Sequence, residues 1–285
     1  MGQWWEVSVG VDEGESVGVA ALLQDRAPGG AVIEETTAGS VVRAYFPRDS
    51  SSAPAHLRWP ALQELARAFP HLKPRERPLA EEEWTQGWKS FFSPLLVGQR
   101  LLVKPPWERR RPPPGRVAVV IDPGLAFGTG HHTTTQMCLE AEERYLEPGM
   151  RVLDLGTGSG ILAIAAARLG AGRVVALDTD PVAVKAARSN ARANRVLGRV
   201  SVRTGSLEGR LRPFDLLLAN ISSQAIIGLA RPLSRAARPG AVLAAGGFLS
   251  ESLSAVEQAL KGVGWHPMDV MAAGDDWRTV VARRE

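Results

Sequence analysis

The sequence predicts a doubly wound α/β domain preceded by a small α+β domain. Three observations carry that prediction. After residue 115, beginning with Val117 to Ile121, short apolar strand-like runs alternate with stretches of helical length. A glycine-rich turn joins the run at Val152 to Leu155 to the helix at Ile161 to Leu169. Ahead of residue 80 the candidate elements follow the different order β-α-β-β-α. A βα alternation implies a largely parallel sheet with helices on both faces, whereas β-α-β-β-α implies an open sandwich with helices on one face.

The elements are justified in chain order. Trp5 to Val11 alternates and reads as a strand. Glu13 to Arg26 reads as a helix stopped by Pro28-Gly29-Gly30. Ala31 to Thr36 and Val41 to Phe46 read as two strands joined through Ala38-Gly39. Trp59 to Phe69 carries Leu62, Leu65, Ala66 and Phe69 on one helical stripe. From Lys104 to Gly115 the chain is rich in Pro and Arg, so it is extended and solvated. Val117 to Ile121 is apolar. Strands are then expected at Val152 to Leu155, Val174 to Leu177, Val200 to Arg203, Phe214 to Ala219, Val242 to Ala245, His266 to Met271 and Thr279 to Ala282. Helices are expected at Ile161 to Leu169 and at Pro181 to Val196, where Pro fits the first turn. The expected division is therefore an α+β domain over 1–80, a connecting helix and Pro/Arg-rich linker over 81–115, and the α/β domain over 116–285.

Composition excludes several classes. The 285 residues are 45% hydrophobic and 22% charged, ordinary values for a globular chain. Net charge is only +4. Five of the 34 basic residues are Lys, so 29 are Arg, and that excess sets the high pI of 9.6. A charge this small does not by itself imply a nucleic-acid binder. The single cysteine, Cys138, excludes an internal disulfide framework and a Cys-based zinc site. No apolar run reaches the roughly 18 residues of a membrane span, and Met1 to Gly10 does not read as a secretory signal. A cytoplasmic location is expected.

Three motifs carry the chemistry. The first is Asp154-Leu155-Gly156-Thr157-Gly158-Ser159-Gly160, between a strand and a helix. The spacing is G-x-G-x-G. The third glycine of a dinucleotide fingerprint would fall on Ile161, and the chain has no Gly-Lys pair for a phosphate-cradling loop. A sulfonium ligand with an amino-acid end fits better. Asp154 would attract its cationic amine, directly or through water, and Asp178 at the end of the next strand could accept from both ribose hydroxyls. The second motif runs from Asp122 to Thr135, with Phe127, Gly128, Thr129, Gly130, His132, Thr134 and Thr135. Helix capping explains one Thr and not the whole run, so it reads as a loop covering the ligand. Its paired histidines lack supporting cysteines, and no metal is expected. The third is Leu217-Leu218-Ala219-Asn220-Ile221 at a strand end, where Asn220 offers an acceptor and a donor. An Asn capping the next helix is the competing reading.

These residues resemble a known family. Asp154 to Gly160 with Asp178 resembles the class I S-adenosylmethionine-dependent methyltransferases. Pro123 to Thr135 with Ala219-Asn220-Ile221 is similar to a narrower group, the ribosomal protein L11 methyltransferases (PrmA). Trp84, Trp88-Lys89, Phe92, Pro94, Gly98, Trp107 and Asp276-Trp277 agree with it. Two features depart from the family: His131-His132-Thr133 stands where Thr-His-Pro is usual, and the N-terminal region is divergent.

The resemblance implies a seven-stranded Rossmann-like methyltransferase sheet with a ferredoxin-like N-terminal domain that recognises the substrate. It implies S-adenosyl-L-methionine as cofactor, contacted by Thr135, Gly156, Asp178 and Asn220, to which the reading of the glycine turn adds Asp154, Gly158 and Gly160. It also implies methylation of Lys side chains and the N-terminal α-amine of a ribosomal protein, with Asn220 positioning cofactor and amine. The expected partner is that ribosomal protein, met by a monomer without stable nucleic-acid or membrane binding. Asn220-Ile221-Ser222-Ser223 differs from the Asn-Pro-Pro-aromatic run of amide and adenine methyltransferases. Two alternatives stay open: another small-molecule or protein N-methyltransferase of this fold, and a non-catalytic ribosome-associated RNA-binding factor.

Overall fold

The structure is a computed structural model that describes residues 4–12, 14–24, 26–27, 31–36, 39–47, 55–79, 92–123, 130–207, 212–273 and 276–285. It divides into two compact units, Met1–Ser93 and Pro94–Glu285.

The first unit contains β1 (Trp4–Val11), α1 (Ser16–Gln24), β2 (Ala31–Thr36), β3 (Gly39–Pro47), α2 (Ala55–Ala68) and β4 (Arg75–Leu79). Its antiparallel sheet has the order β2-β3-β1-β4, the ferredoxin-like arrangement. Period-2 alternation sets its faces. Val7 and Val9 of β1 pair with Ala44 and Val42 of β3, and all four join Val19 and Leu23 of α1 and Ala61, Leu62 and Leu65 of α2 in one core. The opposite parity brings Glu6 against Arg43 at 2.8 Å and Arg77 at 2.9 Å. Sequence reading gave no strand at β4. The strand is short, almost wholly exposed and lies at the edge, where Pro is tolerated and no apolar alternation is required.

The second unit opens with strands that sequence reading missed. β5 (Leu95–Val97) and β6 (Leu101–Lys104) form a three-stranded sheet with β7 (Val117–Val120) in the order β5-β6-β7. Residues 117–121, expected to lead the α/β sheet, belong to this separate layer. The Pro/Arg-rich segment is the connection between the parallel strands β6 and β7. It folds onto Lys104, whose Nζ donates to the carbonyls of Glu108 (3.0 Å) and Arg110 (2.7 Å). The expected connecting helix falls mostly on residues 80–91, outside the described residues.

The main sheet has seven strands: β8 (Arg151–Leu155), β9 (Arg173–Asp178), β10 (Val200–Thr204), β11 (Phe214–Asn220), β12 (Ala237–Leu249), β13 (Trp265–Ala273) and β14 (Trp277–Arg284). Their order is β10-β9-β8-β11-β12-β14-β13, and β14 is antiparallel to both neighbours. The helices are α3 (Thr133–Tyr145), α4 (Ile161–Leu169), α5 (Pro181–Ala193), α6 (Ser223–Ala236) and α7 (Leu253–Lys261). Alternate strand residues feed two cores. Val152, Val174 and Leu216 pack with Leu139, Ile164 and Val184 of α3, α4 and α5. Leu153, Val175 and Leu217 pack with Ile226, Leu233 and Val256 of α6 and α7. From β8 the chain winds one way through β9 and β10, then returns to the other side at β11. That reversal opens a crevice beyond the C-terminal ends of β8 and β11, where doubly wound sheets bind ligands.

Candidate functional site

The glycine turn leaves β8 directly into this crevice. Gly156, Gly158 and Gly160 all have positive φ, at 71°, 53° and 85°, a region that side chains enter only with strain. At Gly156 space forbids a side chain as well, because an added Cβ would collide with Cγ2 of Ile221. At Gly160 it would lie 3.1 Å from Cα of Ala187 on α5, so the third glycine lets helix and turn pack closely. The turn is also tied down. The amides of Gly156 and Thr157 donate to the carbonyl of Leu177 at 2.8 and 3.0 Å, and Gly158 N donates to Oδ2 of Asp178 at 2.9 Å.

Asp154 lies beneath the turn, wholly buried. Its Oδ2 accepts from Oγ1 of Thr157 (2.5 Å) and from the amide of Ala163 (3.0 Å), while Oδ1 has no hydrogen-bond partner. Burial raises its carboxyl to about 6, against the lowering effect of those two donors. Asp178 is partly exposed at the end of β9, the neighbour of β8. It accepts from Gly158 through Oδ2 and from the amide of Asp180 through Oδ1 at 3.0 Å. Each carboxylate oxygen has a further lone pair, so both can still receive hydroxyls.

Asn220 ends β11 beside this turn. Its Nδ2 donates to Oγ1 of Thr135 on α3 at 3.1 Å, and its Oδ1 is buried without a hydrogen-bond partner. Strand β12 shapes the other side. A Cβ on Gly247 would meet the Ile221 carbonyl at 2.7 Å and Asn220 Oδ1 at 3.0 Å. The Gly246-Gly247 pair therefore admits the backbone of Ile221, a role sequence reading missed although paired glycines inside a strand signal close approach. The competing reading of Asn220 as a helix cap does not hold, because Ser222 caps α6 through the amide of Ala225 at 3.3 Å.

The covering loop is only partly described. Phe127, Gly128 and Thr129 lie outside the described residues. Gly130 is buried. His132 is the N-cap of α3, its Nδ1 facing the Thr134 amide at 3.3 Å and Oγ1 at 2.8 Å, and its ring meets that of Trp277 edge-on at 4.7 Å. Burial lowers its pKa. Sequence reading also missed Asn190, on the buried face of α5. Its Nδ2 donates to the Ser159 carbonyl (2.9 Å) and its Oδ1 accepts from the Asp122 amide (3.0 Å), so one side chain joins the glycine turn to the start of the covering loop.

The sequence profile of a family described as ribosomal protein L11 methyltransferase (PrmA) matches residues 3–285. The chain belongs to that family. A ribosomal protein L11 methyltransferase of Pelotomaculum thermopropionicum is 39% identical, covering 92% of this chain and 93% of its own. The one of Chloroflexus aurantiacus is 35% identical over 99% and 98%. A solved structure, the ribosomal protein L11 methylase of Lactobacillus delbrueckii subsp. bulgaricus, is 31% identical with a TM-score of 0.61, covering 68% of this chain and the whole of that one. Membership bears out the resemblance read from Pro123 to Thr135, Asp154 to Gly160 and Ala219-Asn220-Ile221. Within this chain the glycine turn, Asp178, Thr135 and Asn220 meet at one strand-end crevice. Three features of the crevice fit S-adenosylmethionine: a turn closed to side chains, an acid with spare acceptors one strand away, and the partnerless Oδ1 of Asn220.

Proposed function

We propose that this chain transfers methyl groups from S-adenosylmethionine to amines, Lys side chains and the N-terminal α-amine, of ribosomal protein L11. The observation that carries the reading is Asn220, whose buried Oδ1 lacks a partner while its Nδ2 is fixed on Thr135. Family membership supports the reaction and the ribosomal substrate.

When bound, S-adenosylmethionine supplies a methyl already activated by its sulfonium charge, so the protein needs only to orient two partners and exclude water. Asp178 would receive the ribose hydroxyls. The amides and close-packed glycines at 156, 158 and 160 would hold the amino-acid end, with Asp154 acting from beneath the turn through its charge. Asn220 and Thr135 would place the amine. In water Lys titrates near 10.4 and an α-amine near 8, so the amine must shed a proton before it reacts. A water-poor site disfavours the ammonium form, and the amide of Asn220 accepts an N–H hydrogen bond without taking the proton. Residues 123–135 would close over the site.

The N-terminal region 1–80 is read as the recognition domain for the substrate protein, 81–115 as its connection, and 116–285 as the methyltransferase domain. A cytoplasmic monomer without stable nucleic-acid or membrane binding completes the reading. Lys185, Arg188, Arg192, Arg195 and Arg199 recur at three- and four-residue spacing on and just after α5, a pattern more often a solvated face than a nucleic-acid site, and Arg188 is spent on the Val202 carbonyl at 2.9 Å. Among the described residues no helix is long and apolar enough to cross a membrane. Incubation with labelled S-adenosylmethionine and purified L11, followed by peptide mass mapping, tests the reading. Label on Lys-bearing and N-terminal peptides is the expected result; unlabelled L11, or label confined to other side chains, would overturn it.

A further inference from the structure

The buried side of α3 carries a polar stripe. Thr135, Cys138 and Glu142 recur at three- and four-residue spacing, so they share one helical face, and all three are fully buried. Thr135 meets Asn220. Cys138 faces the hydroxyl of Thr279 on β14, and both approach Gly246 on β12. Glu142 is the anomaly: neither of its carboxyl oxygens has a hydrogen-bond partner. A buried carboxylate without donors is among the costliest arrangements a fold can hold, and such a group takes up a proton instead. The charged group acting on Glu142 is Asp154, whose own Oδ1 is also buried and partnerless. Two acids thus share one enclosed region, one of them already committed through Oδ2 to Thr157 and Ala163 of the glycine turn.

We propose that Glu142 is a positioning residue: it keeps its proton and offers it through one internal water to the free oxygen of Asp154, which lies on the α3 side of the sheet with Val152 and Leu216, so that the pair carries a single negative charge and fixes the glycine turn. The inference rests on the reading of that turn as the cofactor loop. Its logic is charge and donor supply. Asp154 as carboxylate needs donors on both oxygens; the turn supplies two to Oδ2, and a neutral Glu142 supplies the one for Oδ1. With that donor Asp154 stays ionised, holds Thr157 and Ala163, and presents a negative potential to a cationic ligand. The other titratable groups around the helix do not compete. Burial pushes the Cys138 thiol up to about 12, so it stays neutral. Glu143 faces outward and accepts the amides of Gln99 and Arg100. Arg144 pairs with Asp269 of β13 on the exposed side, at 2.8 Å. Asp178 acts on Asp154 from the far side of the turn and only strengthens the need for a donor.

Two variants and two readouts test this. The infrared spectrum of the ligand-free protein at neutral pH should contain a buried carboxylic-acid carbonyl band that vanishes in Glu142→Gln. Calorimetric titration with S-adenosylhomocysteine should show Glu142→Gln, which keeps an N–H donor, within about twofold of the parent. Glu142→Leu, which offers none, should bind roughly tenfold more weakly. In Glu142→Leu the pH below which binding declines should also move upward by at least about half a unit, with a melting temperature equal to or above the parent's, because an apolar side chain replaces an unsatisfied acid. Absence of the acid band, or Glu142→Leu binding as the parent does across the pH range, would overturn the proposal. If the parent protein bound no S-adenosylhomocysteine, the cofactor reading would fall instead, and the infrared band would still decide the protonation of Glu142.

Discussion

At the scale of single residues, the site depends on a few side chains whose partners are chosen for them by the fold. Asn220 is held by one donated hydrogen bond and leaves one buried acceptor. Asn220→Ala removes that acceptor without touching the turn, and should lower kcat/KM toward L11 by about 10- to 100-fold with cofactor affinity changed less, since one buried hydrogen bond is worth about 1–3 kcal/mol. Asp178→Ala should show the converse split, with cofactor affinity lost first. Gly156→Ala combines a left-handed φ with a collision against Ile221, so a loss of about 2–4 kcal/mol is expected. Adding Ile221→Ala should recover the steric part and leave the backbone strain, a non-additivity that denaturant unfolding can measure. His132 sets a pH dependence. Burial lowers its pKa below the ordinary value of about 6.5, so the unfolded chain takes up the proton first. Stability is full above that value and falls as the pH drops through it toward the folded pKa. Asp154 has the opposite sign: its carboxyl, raised to about 6, strains the fold when ionised, and that strain is relieved as the pH falls from 6 toward 4. Thermal melts of His132→Asn and Asp154→Asn between pH 4 and 8 should therefore tilt in opposite directions relative to the parent.

At the scale of elements, the strands most legible in the sequence are those buried on both faces. The runs at 152–155, 174–177 and 214–219 are apolar apart from Asp154 and Asp215, because helices cover both sides of the sheet. The turn between β8 and α4 was legible because its glycine spacing has few other uses. What escaped lies at edges and in small layers. β4 is exposed along nearly its whole length, and β5 and β6 have three and four residues, too short for any period to register. Asn190 and Asn194 escaped for another reason: a polar residue on a helix reads as solvated until the partner element is known. Asn194 binds both backbone groups of Val120, accepting from its amide at 2.8 Å and donating to its carbonyl at 2.6 Å. It thereby fastens β7, which ends just before the covering loop, to the end of α5. Asn194→Ala should cost about 2–3 kcal/mol by chemical denaturation, two bonds and two stranded backbone groups. It should also raise amide exchange at Val120 and Asp122 ahead of the rest of the sheet.

At the scale of the whole molecule, the chain is two compact units with separate cores. One core is built from β1, β3, α1 and α2, and the other two are built around the seven-stranded sheet. Each sheet closes its hydrogen bonds within its own unit. The crevice residues, from the glycine turn through Asp178 and Asn220 to Thr135, all lie in the second unit, together with Glu142 and the Asn190 strap. Among the described residues, the turn's hydrogen bonds involve none before 94. Cofactor binding and substrate selection should therefore be separable by truncation. A fragment spanning 94–285 should unfold cooperatively and bind S-adenosylhomocysteine within a fewfold of the full chain, because its core and its turn are intact. The same fragment should lose methylation of intact L11 by at least about a hundredfold, as expected when a docking surface that supplies roughly 3 kcal/mol or more is removed. Methylation of a small amine or a short Lys peptide, already weak in the full chain, should hardly change. Adding the separately produced 1–93 unit should not restore L11 methylation at micromolar concentration, since covalent linkage supplies an effective concentration that free diffusion does not. Full L11 activity in the isolated 94–285 fragment would place substrate recognition in the catalytic unit and leave the N-terminal sheet without its proposed role.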